Sequence, residues 1–205
     1  MHCLLRPLLS IAASLTAAAG AHASTVSVTV TDQAGKALAG AVVTLEPVAG
    51  KLPVKPMSGG EISQSKREFN PSVTVITTGT PVTFPNFDTV RHHVYSFSPI
   101  KTFELKLYAG VPNVPVVFDK PGLAVLGCNI HDQMAAWVVV VDTPFFTRSA
   151  AAGKARLEGV SPGSYRLRVW HPGLGLVNEA SVAMLSIGAA DVEQAVRLGF
   201  TSTEP

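Results

Sequence analysis

Ten short runs rich in β-branched and aromatic residues, each ended by Gly, Pro or Asx, leave this chain little choice but antiparallel sheet. They span 25–31, 41–46, 72–77, 81–84, 93–98, 114–118, 123–127, 136–141, 165–170 and 192–198. Such side chains suit a pleated, half-buried surface. Runs of this length, with turn residues at this spacing, predict sandwiches. No apolar stripe of period 3.6 runs through residues 24–205, so helix is expected to be rare. The expected fold class is all-β.

Residues 1–23 carry the marks of an export leader. Arg6 precedes a fourteen-residue apolar stretch, 7–20, and Ala21-His22-Ala23 fits the small-x-small cleavage pattern. A membrane span needs roughly 20 apolar residues, so this stretch is too short, and no later segment qualifies. Cys3 precedes the apolar stretch instead of following it, which argues against a lipid anchor. The expected location is periplasmic or secreted. Removing the leader takes Arg6 from a formal net charge of +2 and leaves +1. No basic cluster points to nucleic acid.

The Pro/Gly/Ser-rich stretch 50–60 reads as a linker, and Asp142-Thr143-Pro144 as a second break. Between them, 57–142 is the length of one sandwich. The flanks, 24–56 and 143–205, share a Gly-Lys pattern ahead of a strand (Gly35-Lys36 and Gly153-Lys154). They are expected to form two parts of one further sandwich.

Once the leader is gone, Cys128 is the only cysteine, and an unpaired cysteine in an exported chain calls for an explanation. It opens the run Cys128-Asn129-Ile130-His131-Asp132-Gln133-Met134, and the pair His92-His93 stands upstream. Two imidazoles and a thiolate, with a weak axial thioether, form the donor set of a blue-copper site. The strand 123–127 would end with Cys128 projecting from the sheet, and gaps of two residues would let His131 and Met134 fold back over the same point. By strand alternation, His92 shares a face with Val94 and Ser96, and His93 with Tyr95 and Phe97. Other readings stand beside this one: a buried structural Cys128, a zinc site, a Cys–His nucleophile pair, Gln133 as a weak oxygen donor, or His93 as the ligand. Asp88 and Asp132 read as solvated loop carboxylates. Asn86 and Asn129 read equally well as turn residues or as braces for the ligand loops.

The run from Phe69 to Val141 resembles a blue copper (cupredoxin) domain. The matching pieces are Phe69-Asn70-Pro71, Gly79-Thr80-Pro81-Val82-Thr83-Phe84, His92, Gly122 and the Cys128–Met134 loop. The Cys-x2-His-x2-Met spacing is similar to amicyanin. The stretch around His92 is similar to plastocyanin-like proteins labelled methylamine utilisation proteins. The resemblance implies a Greek-key β-sandwich and one mononuclear type 1 copper ion held by His92, Cys128, His131 and Met134. It also departs in one place: where such proteins commonly carry an Asn after the first His, this chain has His93. The flanks resemble a transthyretin-like, or carboxypeptidase-regulatory-like, sandwich through Gly-Lys-x-Leu and Pro-Gly-x-Tyr-x-Leu patterns.

The function expected from these readings is single-electron transfer between periplasmic redox partners, and not an enzyme, since four protein ligands leave no open position. The alternative is an envelope protein that stores or delivers copper, or a carbohydrate- or partner-binding module with incidental copper.

Overall fold

A computed structural model describes residues 23–175 and 180–203, so the expected export leader lies outside the described residues apart from Ala23. The all-β expectation is met, but the antiparallel one only in part, since three strand pairs among the described residues run parallel. Among the described residues the chain forms strands and one 3₁₀ turn at Pro172–Leu174, with no α-helix.

In chain order, β1 (Ser24–Thr31) and β2 (Val42–Pro47) come first. Then come β3 (Gly60–Glu61), β4 (Ser63–Ser65), β5 (Glu68–Asn70), β6 (Val73–Thr77), β7 (Thr80–Thr83), β8 (His92–Ser98), β9 (Lys101–Tyr108), β10 (Val116–Phe118), β11 (Gly122–Gly127) and β12 (Ala135–Val141). The chain ends with β13 (Phe145–Arg148), β14 (Lys154–Val160), β15 (Gly163–Trp170), β16 (Ser181–Ile187) and β17 (Val192–Arg197).

The middle strands build one sandwich. A five-stranded sheet, β6-β12-β11-β8-β9, packs over a three-stranded one, β10-β7-β3, and the β4–β5 hairpin closes one side. Inward residues of both layers, including Val82, Phe118, Val94, Ala124, Leu126 and Val138, are buried in one core. The first and last strands build a second sandwich from sheets β14-β1-β17 and β13-β2-β15-β16. Its core includes Val28, Val30, Val43, Leu45, Leu157, Leu167 and Val169.

The cores meet across the five-stranded sheet. Its outward residues Val75, Leu123, Trp137 and Val139 pack against the second core, to which Val73 also belongs. The rings of Trp137 and Trp170 lie 5.2 Å apart. Strands buried on both faces lose the polar alternation of a solvated sheet, which is why β12 reads Ala-Ala-Trp-Val-Val-Val-Val.

Six strands lie outside the sequence expectation, β3, β4, β5, β9, β13 and β16, whereas β14 follows the Gly153-Lys154 signal. In β9 the charged residues Glu104 and Lys106 occupy the outward face while Phe103 and Leu105 face the core. Half of such a strand is polar, which hides it from a search for β-branched runs.

Candidate metal centre

Strand alternation delivers Cys128. Ala124 and Leu126 point into the core of the central sandwich, and the same phase carries Cys128 inward just past the end of β11, leaving it 3% exposed. His92 opens β8 and is fully buried. The loop after Cys128 turns once, with Met134 N–H donating to the His131 carbonyl at 2.9 Å. That turn returns Met134 to the core around Cys128, where it is 2% exposed.

His92, Cys128 and His131 converge. One donor atom from each lies within 4.8 Å of the others. Cys128 Sγ is 3.9 Å from His92 Nδ1, and the two imidazole rings are 5.1 Å apart at 60°. His131 Nδ1 is buried without a hydrogen-bond partner. A buried polar atom left unpaired costs about 1–3 kcal/mol, so this nitrogen needs a partner that the protein does not supply. One thiolate and two imidazoles, with a thioether in the same core, fit copper by the softness and type of their donors.

His92 and His93 diverge. The His93 ring lies 5.6 Å from that of Tyr95, and its Nε2 sits 3.0 Å from Glu104 Oε1, close as a charge contact but off the line of a hydrogen bond. The His92 ring faces Cys128, and its Nε2 lies 2.8 Å from Asp88 Oδ2. The ladder between β8 and β9 slips by one residue between His92 and Val94, with the extra residue on the β9 side, as in a β-bulge.

Two expectations change here. Asp88 is no free loop carboxylate: besides contacting His92, it accepts the backbone N–H groups of Lys66 at 2.7 Å and Arg67 at 2.9 Å. Burial pushes its pKa up, but the amides of Arg67 and Lys66 and the His92 imidazole outweigh that and hold it below the usual carboxylate value. Asn86 is a brace. Its Nδ2 donates to the carbonyls of Val90 and Tyr108, both at 2.9 Å, and its Oδ1 accepts from Asp88 N–H at 3.0 Å. The sequence signal for Asp88 was its position four residues before His92. By contrast Asn129, Asp132 and Gln133 are exposed. His171 belongs to the second sandwich, where its ring stacks on Phe200.

The backbone behind Cys128 is also fixed. Gly127 pairs with Tyr95 across β11 and β8, and a Cβ at Gly127 would fall 2.6 Å from Tyr95 Cζ. Only glycine lets the phenol ring lie against the strand that presents the thiol.

No protein-family model matches the chain, and no curated protein sequence matches it. Solved structures do. One is a copper-containing nitrite reductase from Thermus scotoductus SA-01, at 24% identity and a TM-score of 0.39, covering 47% of this chain and 25% of that one. A purple cupredoxin from Nitrosopumilus maritimus matches at 22% identity and a TM-score of 0.36, covering 40% of this chain and 99% of that one. A mutant amicyanin in its reduced Cu(I) form matches at 16% identity and a TM-score of 0.38, covering 48% of this chain and 98% of that one. The chain thus spans a quarter of the nitrite reductase's length.

Proposed function

We propose that residues 57–142 are a type 1 copper domain set within a flanking sandwich formed by 24–56 and 143–205, and that the protein carries single electrons between periplasmic redox partners after export on the leader 1–23. The observation that supports this most is the cluster of His92, Cys128 and His131 donor atoms within 4.8 Å, with His131 Nδ1 buried and unpaired. Copper, when bound, supplies a one-electron Cu(II)/Cu(I) couple. His92, Cys128 and His131 would be the strong donors, and Met134 a weak fourth from the core. Because His92 opens β8 and Cys128 directly follows β11, these two donors are anchored by paired strands, which favours a site that moves little between oxidation states.

His131 is partly exposed, and its neighbour Ile130 is 46% exposed. Phe87, at 66%, and Val111 each follow one residue of the Asn86–Gly110 bridge. Exposed apolar side chains of this kind suit brief docking of a redox partner, whose interfaces are small. Four protein donors leave no open position, so the reading assigns no catalytic role. The direct check is the absorption spectrum of the copper-loaded protein. An intense thiolate-to-copper band is expected, and Cys128→Ser should abolish it. A wild-type protein that binds copper without that band overturns the reading.

One further observation favours a second role for the flanking sandwich. A cleft of about 620 Å³ opens between β2, β15 and the outward face of β11 and β12, lined by Thr44, Glu46, Arg166, Arg168 and Trp170 among others. Its size falls in the range of small-ligand sites. Arg166 and Arg168 share the single carboxylate of Glu46 and Lys51 pairs with Asp142, which leaves positive charge in excess and suits a polar ligand with an acidic group, such as an acidic sugar. Calorimetric titration with soluble oligosaccharides tests this, and no heat of binding across neutral and charged glycans removes it.

A further inference from the structure

The hairpin between β4 and β5 turns on two residues that seldom occupy such a position. Lys66 has φ 56° and Arg67 φ 60°. A two-residue turn with both centres left-handed is normally built from Asn and Gly, because other side chains crowd the backbone there. This unfavoured turn aims two consecutive amides at one carboxylate. Lys66 N–H meets Asp88 Oδ1 at 2.7 Å, and Arg67 N–H meets Asp88 Oδ2 at 2.9 Å. The hairpin cannot drift, since Gln64 N–H donates to Pro85 O and Phe87 N–H donates to Gln64 O, both at 2.8 Å. Asp88 is held from its own backbone as well, by Asn86 Oδ1.

The same Oδ2 lies 2.8 Å from His92 Nε2. With a backbone N–H already donating to each of its oxygens, this carboxyl group is placed as an acceptor. The hydrogen bond to His92 therefore requires the proton on Nε2. A neutral imidazole with its proton there has its lone pair on Nδ1, the atom 3.9 Å from Cys128 Sγ. The other tautomer would put a proton where the donor is needed.

We propose that the Lys66–Arg67 turn, acting through the Asp88 carboxylate, fixes His92 in the Nε2–H tautomer and so keeps Nδ1 available as a donor facing Cys128. Lys66, Arg67 and Asp88 are positioning residues, and the turn acts through its backbone. The tautomer is a property of the metal-free chain, whereas its consequence for a bound ion rests on the copper reading above.

The two parts are tested separately. In the copper-free, full-length protein, nitrogen-15 NMR is expected to show His92 as the Nε2–H tautomer. Asp88→Ala should give a mixture of tautomers. Asp88→Asn keeps the shape and covers the case in which the alanine variant does not fold. Lys66→Gly with Arg67→Gly keeps both amide donors and removes both cationic side chains, and should retain the wild-type tautomer. In the copper-loaded protein, losing the carboxylate charge favours Cu(I). Asp88→Asn should raise the Cu(I):Cu(II) ratio at a fixed solution potential about tenfold, a shift of about 59 mV for a one-electron couple.

An unchanged tautomer in Asp88→Ala and Asp88→Asn overturns the proposal. So does an altered tautomer in the double-glycine variant, which would assign the effect to side-chain charge. A locked tautomer in a wild-type protein that shows no thiolate-to-copper band leaves the clamp standing and removes the copper reading.

Discussion

His92 and His93 are adjacent in sequence and opposite in role. Strand alternation sends them to different sides of β8 but does not say which side holds the site. That is decided by what waits on each: Cys128 and Asp88 for His92, Glu104 and Tyr95 for His93. The account therefore expects His93→Gln to keep the copper absorption band with little change, while His92→Gln loses it or shifts it strongly. Paired spectra of the two variants check this, and the opposite pattern would make His93 the ligand. The Cys128–Met134 loop stands out in the sequence because its candidate donors lie within seven consecutive residues. Asp88 does not, because its role depends on two amides more than twenty residues away, and backbone donors carry no side-chain signature.

At the scale of the element, the informative contact is between β8 and β11. Tyr95 lies over Gly127, and the strand delivers Cys128 in the next position. Gly127→Ala would drive a methyl group into the phenol ring. The atoms met are the far end of the Tyr95 side chain, so either the ring moves aside or the strand that leads to the thiol shifts, and overpacking of this kind costs up to about 1–3 kcal/mol. Denaturant unfolding should show a loss of about that size, and the thiolate-to-copper band should shift with it. A variant with wild-type stability and spectrum would mean that the sheet tolerates the intrusion. The central strands could be read from sequence because burial on both faces makes them continuously apolar. β9 could not, since its polar outward face breaks the run. The β4–β5 hairpin stayed hidden for a different reason: its turn is Lys66-Arg67, with no Gly or Asn to announce it.

On the scale of the whole molecule, the two sandwiches share a partly buried boundary. Trp137, Val139, Leu123 and Val75 belong to strands of the central sheet yet pack on the outer core. A fragment of residues 57–142 would expose this face to water. It is expected to unfold or aggregate where the full-length protein stays folded, and circular dichroism with sedimentation distinguishes the two. Trp137→Ala in the full chain should cost a large share of the 3–5 kcal/mol typical of a buried Trp→Ala change. A fragment that folds with undiminished stability would show the boundary to be a contact between independent domains. The sequence pattern proposes a linker at 50–60 and a break at 142–144, but core and interface residues of β12 are alike apolar, so the pattern alone does not separate core from boundary.

The central claim is that His92, Cys128 and His131 close on a single copper ion. X-ray absorption fine structure at the copper edge of the loaded protein tests it most directly. One short sulfur neighbour and two imidazole nitrogens are expected, with the sulfur lost in Cys128→Ser. A first shell made only of nitrogen and oxygen, unchanged by that substitution, would contradict it.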